Sequence, residues 1–563
     1  MKSVDFFQIA LFFITFIILT PLLGDYIAKV LKGEKHFLSI FIAPVEKTIY
    51  RLSGINPDSE MRWTRYAWEL LVFNFIGFVF LLVLQLFQNM LPLNPERVSN
   101  VSFLLALNTA VSFVTNTNWQ AYSGEAAMSY LVQMLGLTVQ NFLSAATGIT
   151  VMVALTRVLI QRNASTIGNF WVDMTRSVLY ILIPLSIIFA LLLVSQGVVQ
   201  TFSDYIHTIT LEGNEQIIPL GPAASQIAIK QLGTNGGGFF GQNSAHPFEN
   251  PTAFSNFIEL LAIILIPSAL TYTFGVLIGN RRHGWCLFTV MLIILFLSFG
   301  IALIFETSLN PAVNAPVWME GKETRFGVMN SVLWANVTTA ASNGSVNAMI
   351  DSFSPIAGMM SLFNMMLGEI VFGGVGSGVF TMFLYILLSV FLAGLMVGRT
   401  PEYLGKKIEA REMIWALIGI MLPNIVLIVG SAIACISQAG LSSLGNAGPH
   451  GLTEIFYAFT SAAENNGSAF AGLKASTPFY NIFLSVAMFL GRFGVLFSVL
   501  AICGSLIRKK ISPQSQGTFP TNNISFIVLL AAVILIVGAL TFFPMLILGP
   551  ILEHFLMLDG RTF

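Results

Sequence analysis

Ser342-Asn343-Gly344-Ser345 is a small polar stretch that recurs, altered, at three other places in the chain. The near-copies are Thr115-Asn116-Thr117-Asn118, Thr234-Asn235-Gly236-Gly237 and Asn465-Asn466-Gly467-Ser468, and the four starts are spaced 119, 108 and 123 residues apart. Each closes a modest apolar segment and stands between two long hydrophobic ones. Solenoid repeats have periods of about 20–50 residues, so this spacing belongs to something larger. It suits a membrane unit of helix, re-entrant loop and helix.

Composition places the chain in lipid. Of 563 residues, 55% are hydrophobic and only 10% charged, where soluble domains carry about 25% charged residues. Mean hydropathy is +0.79. Lys and Arg number 27, as do Asp and Glu, so the formal net charge is zero and no basic surplus points to nucleic acid. Cys286, Cys435 and Cys503 are scattered in or beside apolar runs and suggest neither a disulfide framework nor a zinc site. The six histidines form no close pair on a helix face, so no metal site is expected. Val4–Leu23 lacks a small-residue cleavage pattern after it and reads as a retained transmembrane helix.

About 20 apolar residues cross a bilayer. Stretches of that kind are Val4–Leu23, Ala67–Phe87, Tyr130–Ile160, Val178–Val199, Phe254–Ile278, Trp285–Phe305, Pro355–Val397, Met413–Ile436, Phe479–Ile507 and Ile524–Leu548. Basic residues test that list. Lys29, Lys32, Lys35, Lys47, Arg51, Arg62 and Arg65 precede the second stretch, and Arg157, Arg162 and Arg176 lie around the next connection but one. Arg281 and Arg282, then Arg399, Lys406, Lys407 and Arg411, then Arg508, Lys509 and Lys510 continue the alternation. These are 19 of the 27; the intervening connections hold Lys2, Arg97, Lys230, Lys322, Arg325, Lys474 and Arg561, and Arg492 lies inside a span. Basic loops stay in the cytoplasm, which puts the four polar motifs and both termini outside. The segments before the motifs, Ser102–Val114, Ala223–Leu232, Asn330–Ala341 and Leu452–Ala463, are too short to span and read as re-entrant helices.

The seventh stretch is twice too long. Its 43 residues would make a helix of about 65 Å at 1.5 Å per residue. Gly373-Gly374-Val375-Gly376-Ser377-Gly378 interrupts it, and each helical glycine costs roughly 1 kcal/mol relative to alanine. Two full spans here would put the later basic clusters outside, so one crossing broken by a glycine loop is expected. The expected architecture is an all-α polytopic membrane protein. Ten transmembrane helices form four helix–pore-loop–helix repeats around a central pore, with one extra helix at each end. The expected divisions are an N-terminal helix at 1–24, repeats at 67–162, 173–280, 284–398 (its second helix broken) and 412–510, and a C-terminal helix at 523–552.

A potassium-type filter replaces an ion's hydration shell with oxygens from converging loops. Glycine permits the unusual φ this needs, Ser and Thr add neutral oxygens, and Asn can brace a loop through its amide. None of the four motifs contains a carboxylate. A neutral oxygen cage suits a weakly hydrated monovalent cation better than Ca²⁺ or Mg²⁺.

In longer form the motifs read Thr-Asn-Thr-Asn-Trp-Gln at Thr115–Gln120, Gly-Thr-Asn-Gly-Gly-Gly-Phe-Phe at Gly233–Phe240, Ala-Ala-Ser-Asn-Gly-Ser-Val-Asn at Ala340–Asn347, and Ala-Glu-Asn-Asn-Gly-Ser-Ala-Phe-Ala-Gly at Ala463–Gly472. On these the whole chain resembles the Kdp A family, the potassium-binding, channel-like subunits of bacterial potassium-transporting ATPases. The resemblance implies a K⁺ selectivity filter, open to the outside, lined by Thr115, Asn116, Thr117, Asn118, Thr234, Asn235, Gly236, Gly237, Ser342, Asn343, Gly344, Ser345, Asn465, Asn466, Gly467 and Ser468. It implies that Gln120 tunes affinity and that Gly373, Gly374, Gly376 and Gly378 belong to a gating loop blocking direct passage inward. The ion would turn sideways into a P-type ATPase partner (Kdp B), in a complex with a Kdp C subunit and a small Kdp F peptide as further candidates. Glu369 and Arg492 match charged vestibule positions, or else form one structural ion pair pinning two repeats together. The implied location is the bacterial plasma membrane. K⁺ is the transported ion, with no organic cofactor, and ATP is used by the partner alone.

The remaining acids get plainer readings. Glu464 and Glu125 either concentrate cations beside the filters or hydrogen-bond their own loops, and Glu259 and Glu69 read as interfacial or capping residues near span ends. No Asp is followed by Lys-Thr and no Gly-x-x-x-x-Gly-Lys-Ser/Thr loop occurs, so a non-catalytic subunit is expected. The alternative is a stand-alone K⁺ transporter or channel driven by membrane potential or by Na⁺ or H⁺ coupling.

Overall fold

The computed structural model describes residues 3–308, 311, 319–398, 400–512 and 519–561; Lys2 and Arg399, which enter the charge pattern, lie outside them. Ten described helices are long and apolar enough to cross a membrane: Asp5–Lys32, Trp63–Leu86, Val132–Ile160, Phe170–Ser195, Ala253–Leu277, Arg281–Glu306, Ser377–Met396, Ala410–Ile436, Pro478–Leu506 and Ile524–Leu558. The chain is an all-helical, multi-pass membrane protein. Two small hairpins in polar connections, Ile206–Ile209 with Glu215–Ile218 and Glu402–Tyr403 with Lys406–Lys407, are its only described strands.

Helix starts follow local chemistry. Thr252, Asn280, Thr477 and Asn523 stand just before their apolar runs and accept the first free backbone N–H groups with their side chains. The first helix runs past Leu23 to Lys32, because nothing breaks it before Gly33 at φ 73°. Its last turns therefore carry Lys29 and Lys32 at the helix C-terminus, where cations are favoured. A helix at Ser39–Ser53, missed in the sequence, ends at Gly54 with φ 64°. Ile40 and Phe41 are about three-quarters exposed on it.

Burial sorts the spans into inner and outer. In the third and fifth, 83% and 89% of the most apolar window is buried, against 22% in the second. An apolar helix that is buried all round belongs to the bundle interior. The N-terminal helix packs along the fifth span, and the C-terminal helix along the sixth and seventh. Between the spans lie four short helices, Phe103–Val114, Ala223–Leu232, Gly327–Ala340 and Gly448–Ala463. The seventh stretch is two helices, Pro355–Met366 and Ser377–Val397, separated by irregular chain. Only the second is long enough to cross.

The C-terminal helix is tied down by a charge cluster. His450, in the first turn of Gly448–Ala463, faces Glu553 Oε1 with Nδ1 at 2.8 Å and Asp351 Oδ1 with Nε2 at 2.9 Å. Glu454 is close enough to complete a three-residue metal-ligand group, but its oxygens already accept from Gly445 N, Asn446 N and Asn446 Nδ2. Burial alone would lower the imidazole pKa, but the two carboxylates outweigh it and raise it from 6.5 to about 10. A raised folded pKa gives stability that is full below 6.5 and lost as pH rises through about 10. His450→Gln is expected to lower the melting temperature by roughly 3 °C near neutral pH. That gap should close at high pH in a thermal-unfolding series.

Candidate functional site: a ring of four pore loops

Each short helix ends at a cap residue: Thr115, Gly233, Ala341 or Glu464. The next residue then enters the left-handed region, with φ 68° at Asn116, 48° at Thr234, 52° at Ser342 and 51° at Asn465. Two residues on φ is positive again, at Asn118, Gly236, Gly344 and Gly467. Between them, Thr117, Asn235, Asn343 and Asn466 donate their N–H groups to the carbonyls of Ser112, Lys230, Thr338 and Ser461, five residues back, at 2.8–3.0 Å. One backbone conformation thus occurs four times.

This geometry corrects the first motif by one residue. Its loop is Asn116-Thr117-Asn118-Trp119, and Thr115 caps the helix, its hydroxyl donating to Val111 O at 2.9 Å. The shared letters Thr-Asn suggested pairing Thr115 with Thr234. What the fold matches is the residue that leaves the helix. Thr234, a β-branched residue at positive φ, is held by its own hydroxyl, which donates to Gly233 O at 2.7 Å and accepts Val375 N at 2.9 Å.

The loops close on one another. A Cβ on Gly236 would overlap the Asn343 carbonyl oxygen, one on Gly344 that of Asn466, and one on Gly467 that of Thr117. The fourth joint lacks the glycine: Asn118 stands there, its amide donating to Asn141 Oδ1 at 2.6 Å, beside Gly237, which leaves it room. Hydrogen bonds cross every joint. Asn116 Nδ2 donates to Thr234 O (2.9 Å), Ser345 Oγ to Gln231 Oε1 (3.1 Å), Ser342 Oγ to Asn465 O (2.9 Å) and Asn465 Nδ2 to Thr117 Oγ1 (2.8 Å). The carbonyl oxygens of Thr117, Asn235, Asn343 and Asn466 accept no hydrogen bond among the described residues, although all four residues are at most 1% exposed. Buried carbonyls are nearly always paired. Four orphans recur at the equivalent position of four adjoining loops, and neutral oxygens of this kind can replace an ion's hydration shell.

The sequence model of the family described as "Potassium-transporting ATPase A subunit" matches residues 10–555. The chain belongs to that family. A "Potassium-transporting ATPase potassium-binding subunit" of Leptospira interrogans is 54% identical over 99% of this chain and 100% of its own length. One from Pseudomonas aeruginosa is also 54% identical, over 98% of this chain and 99% of its own. Among solved structures, the potassium transporter TrkH from Vibrio parahaemolyticus superposes with a TM-score of 0.49 at 14% identity, covering 71% of this chain and 78% of its own.

Other predicted residues of this Kdp A family chain fall around the ring. Gln120 does not stand among the orphan carbonyls. Its amide bridges to the second loop, Nε2 donating to Gly238 O at 3.0 Å and Oε1 accepting Gly238 N at 2.9 Å. Glu125 likewise reaches across, accepting from Gly241 N at 2.7 Å as well as from its own backbone N–H. The glycine run lies against the second loop through Val375 N. A Cβ on Gly376, at φ 92°, would overlap the backbone of Gly148 and Ile149 in the third span. Glu369 and Arg492 do meet, Oε2 to Nη1 at 3.6 Å, and Glu369 Oε1 shares the Ser342 hydroxyl, at 3.2 Å, with Asn465 O. Both line a cavity that also takes in Glu464 and Asn465.

Three charges are buried where the sequence reading gives no sign of it. Lys230, counted with the outer connections, sits fully buried on the second short helix, donating to Asn243 Oδ1, Ser244 Oγ and Glu249. Asn243 in turn donates to the Gly236 carbonyl at 2.6 Å, so this network braces the ring from behind. Lys322, also counted outside, is buried against Glu306 at 2.7 Å. Glu259 is 1% exposed rather than interfacial, accepting from Gln231 Nε2 and Ser244 Oγ. Glu69 stays at the surface beside Arg65, at 3.4 Å. The signal that could have found the network is a lysine followed within one loop by two acids in apolar surroundings.

Proposed function

We propose that this chain is the potassium-binding, channel-like subunit of an ATP-driven bacterial K⁺ import complex. The observation that carries the reading is the ring of four orphan carbonyls, one from each of Thr117, Asn235, Asn343 and Asn466. Those oxygens, with the motif residues around them, form the K⁺ filter. Neutral oxygens can substitute for the shell of a weakly hydrated ion, and the absence of any carboxylate in the loops disfavours divalent ions. The relatives' name, potassium-binding subunit of a potassium-transporting ATPase, supports the same assignment.

In this reading K⁺ enters the filter from the extracytoplasmic side, with both chain termini on that side, as the basic-loop pattern indicates. The glycine run beneath the second loop bars the direct way inward. The ion leaves sideways to a P-type ATPase partner, Kdp B, which hydrolyses ATP, with Kdp C and Kdp F as further subunits in the plasma membrane. The deciding experiment is purification from the native membrane with neighbours intact, followed by ATPase assay. ATP hydrolysis stimulated by K⁺ and not by Na⁺ is expected; passive, ATP-independent uptake by the isolated chain would favour a stand-alone transporter instead.

Gln120 gives a graded test. Gln120→Ala removes both bonds to Gly238, each of net value about 0.5–1.5 kcal/mol, and loosens the joint between the first and second loops. The half-saturating K⁺ concentration for ATP hydrolysis is expected to rise about tenfold with the complex still assembled on size exclusion.

A further inference from the structure

Beneath the ring is a cavity whose charged lining consists of Glu369, Glu464 and Arg492. Glu464 caps the fourth short helix, so it stands at the point where that helix ends and the loop turns back outward. Arg492 lies beside Glu369, and Ser342 Oγ stands 3.2 Å from Glu369 Oε1. Glu464 has no such partner. It is only 6% exposed, yet its carboxylate takes no hydrogen bond and no ion pair among the described residues. Its Oε2 lies 3.3 Å from the point a Cβ on Gly368 would occupy, so Gly368 is what leaves the carboxylate its open side.

Burial, and Glu369 across the same cavity, hold the Glu464 carboxyl well above the usual carboxylate range, so with one guanidinium against two carboxyls this group keeps a proton unless a cation takes the proton's place. Isolating a carboxylate there is costly. The C-terminus of the fourth short helix adds partial negative charge at the same place. We propose that Glu464 holds a second monovalent cation in this chamber, inward of the filter, with Glu369 and Arg492 setting the charge balance around it. This rests on the filter reading above. A single free carboxylate next to a guanidinium neutralises one charge and not two, so the site takes K⁺ or Rb⁺ in preference to a divalent ion. Arg492 also keeps the hold loose, which suits an ion in transit. The site is carried by one side chain adjacent to, but outside, the four-residue motifs.

The test is equilibrium binding of Rb⁺ to the purified full chain in detergent. Glu464→Gln is expected to bind one Rb⁺ fewer at saturation than the wild type, while Glu464→Asp restores the count at weaker affinity. An unchanged count in Glu464→Gln overturns the proposal. Gly344→Val, which distorts the ring, separates the two readings: if it loses Rb⁺ while Glu464→Gln does not, the filter stands and the second site falls. If neither variant alters binding, the filter reading itself has failed. Should Glu464→Gln not fold, infrared difference spectra of the wild type serve in its place. Saturation with Rb⁺ is expected to perturb a carboxylate stretch, and a protonated carboxyl band indifferent to Rb⁺ would overturn the site in favour of a bound proton.

Discussion

Gly344→Val is expected to raise the K⁺ concentration needed for half-maximal ATPase stimulation by at least about 100-fold, and to let Na⁺ stimulate the residual activity. Gly236→Val should do the same. Gly344 has φ 88° and Gly236 φ 80°, where an L-residue costs roughly 1–2 kcal/mol and a β-branched one more. The larger effect is steric. The new Cβ would overlap the carbonyl oxygen of Asn466 in one case and Asn343 in the other, and those are two of the four orphan oxygens. The ring must open at that joint, lengthening its oxygen–ion distances, and a widened cage loses its advantage over water for the larger ion. Unchanged K⁺ kinetics in both variants would refute the filter assignment.

Deleting Gly374 and Val375 is expected to produce K⁺ flux in proteoliposomes without ATP, at least about tenfold above the wild-type background; a membrane as tight as the wild type would argue against a barrier at this loop. The run is pressed between the second pore loop and the third span: Val375 N bonds Thr234 Oγ1, and Gly376 abuts Gly148. Shortening it pulls both contacts away. Since irregular backbone at this depth is tolerated only when protein or a water-filled cavity surrounds it, water is expected to follow.

Much of this was legible in the sequence because its causes are local. Hydrophobic length set the ten crossings, the polar motifs marked the turns, and glycine density marked the break in the seventh stretch. The first loop was read one residue early because Thr115-Asn116 imitates Thr234-Asn235 in letters, while helix exit is a backbone event. The burial of Lys230 and Glu259 is hidden for another reason: whether a charge is buried depends on what folds over it, here Asn243, Ser244 and Glu249 from a loop with no hydrophobic signature. The helix Ser39–Ser53 lies among seven basic residues whose charge pattern reads as a cytoplasmic loop and masks its helical period. That Glu464 faces a cavity rather than its own loop is likewise tertiary, set by Gly368 and Arg492 from distant segments.

One peptide amide, Val375 N, fastens the glycine run to the second loop through the Thr234 hydroxyl. Moving that run would remove one of the two hydrogen bonds that hold Thr234 at positive φ. On the reading proposed above, a chain whose glycine run has withdrawn would keep only the Gly233 bond at this turn, so fast throughput and fine discrimination would exclude each other in the same few atoms.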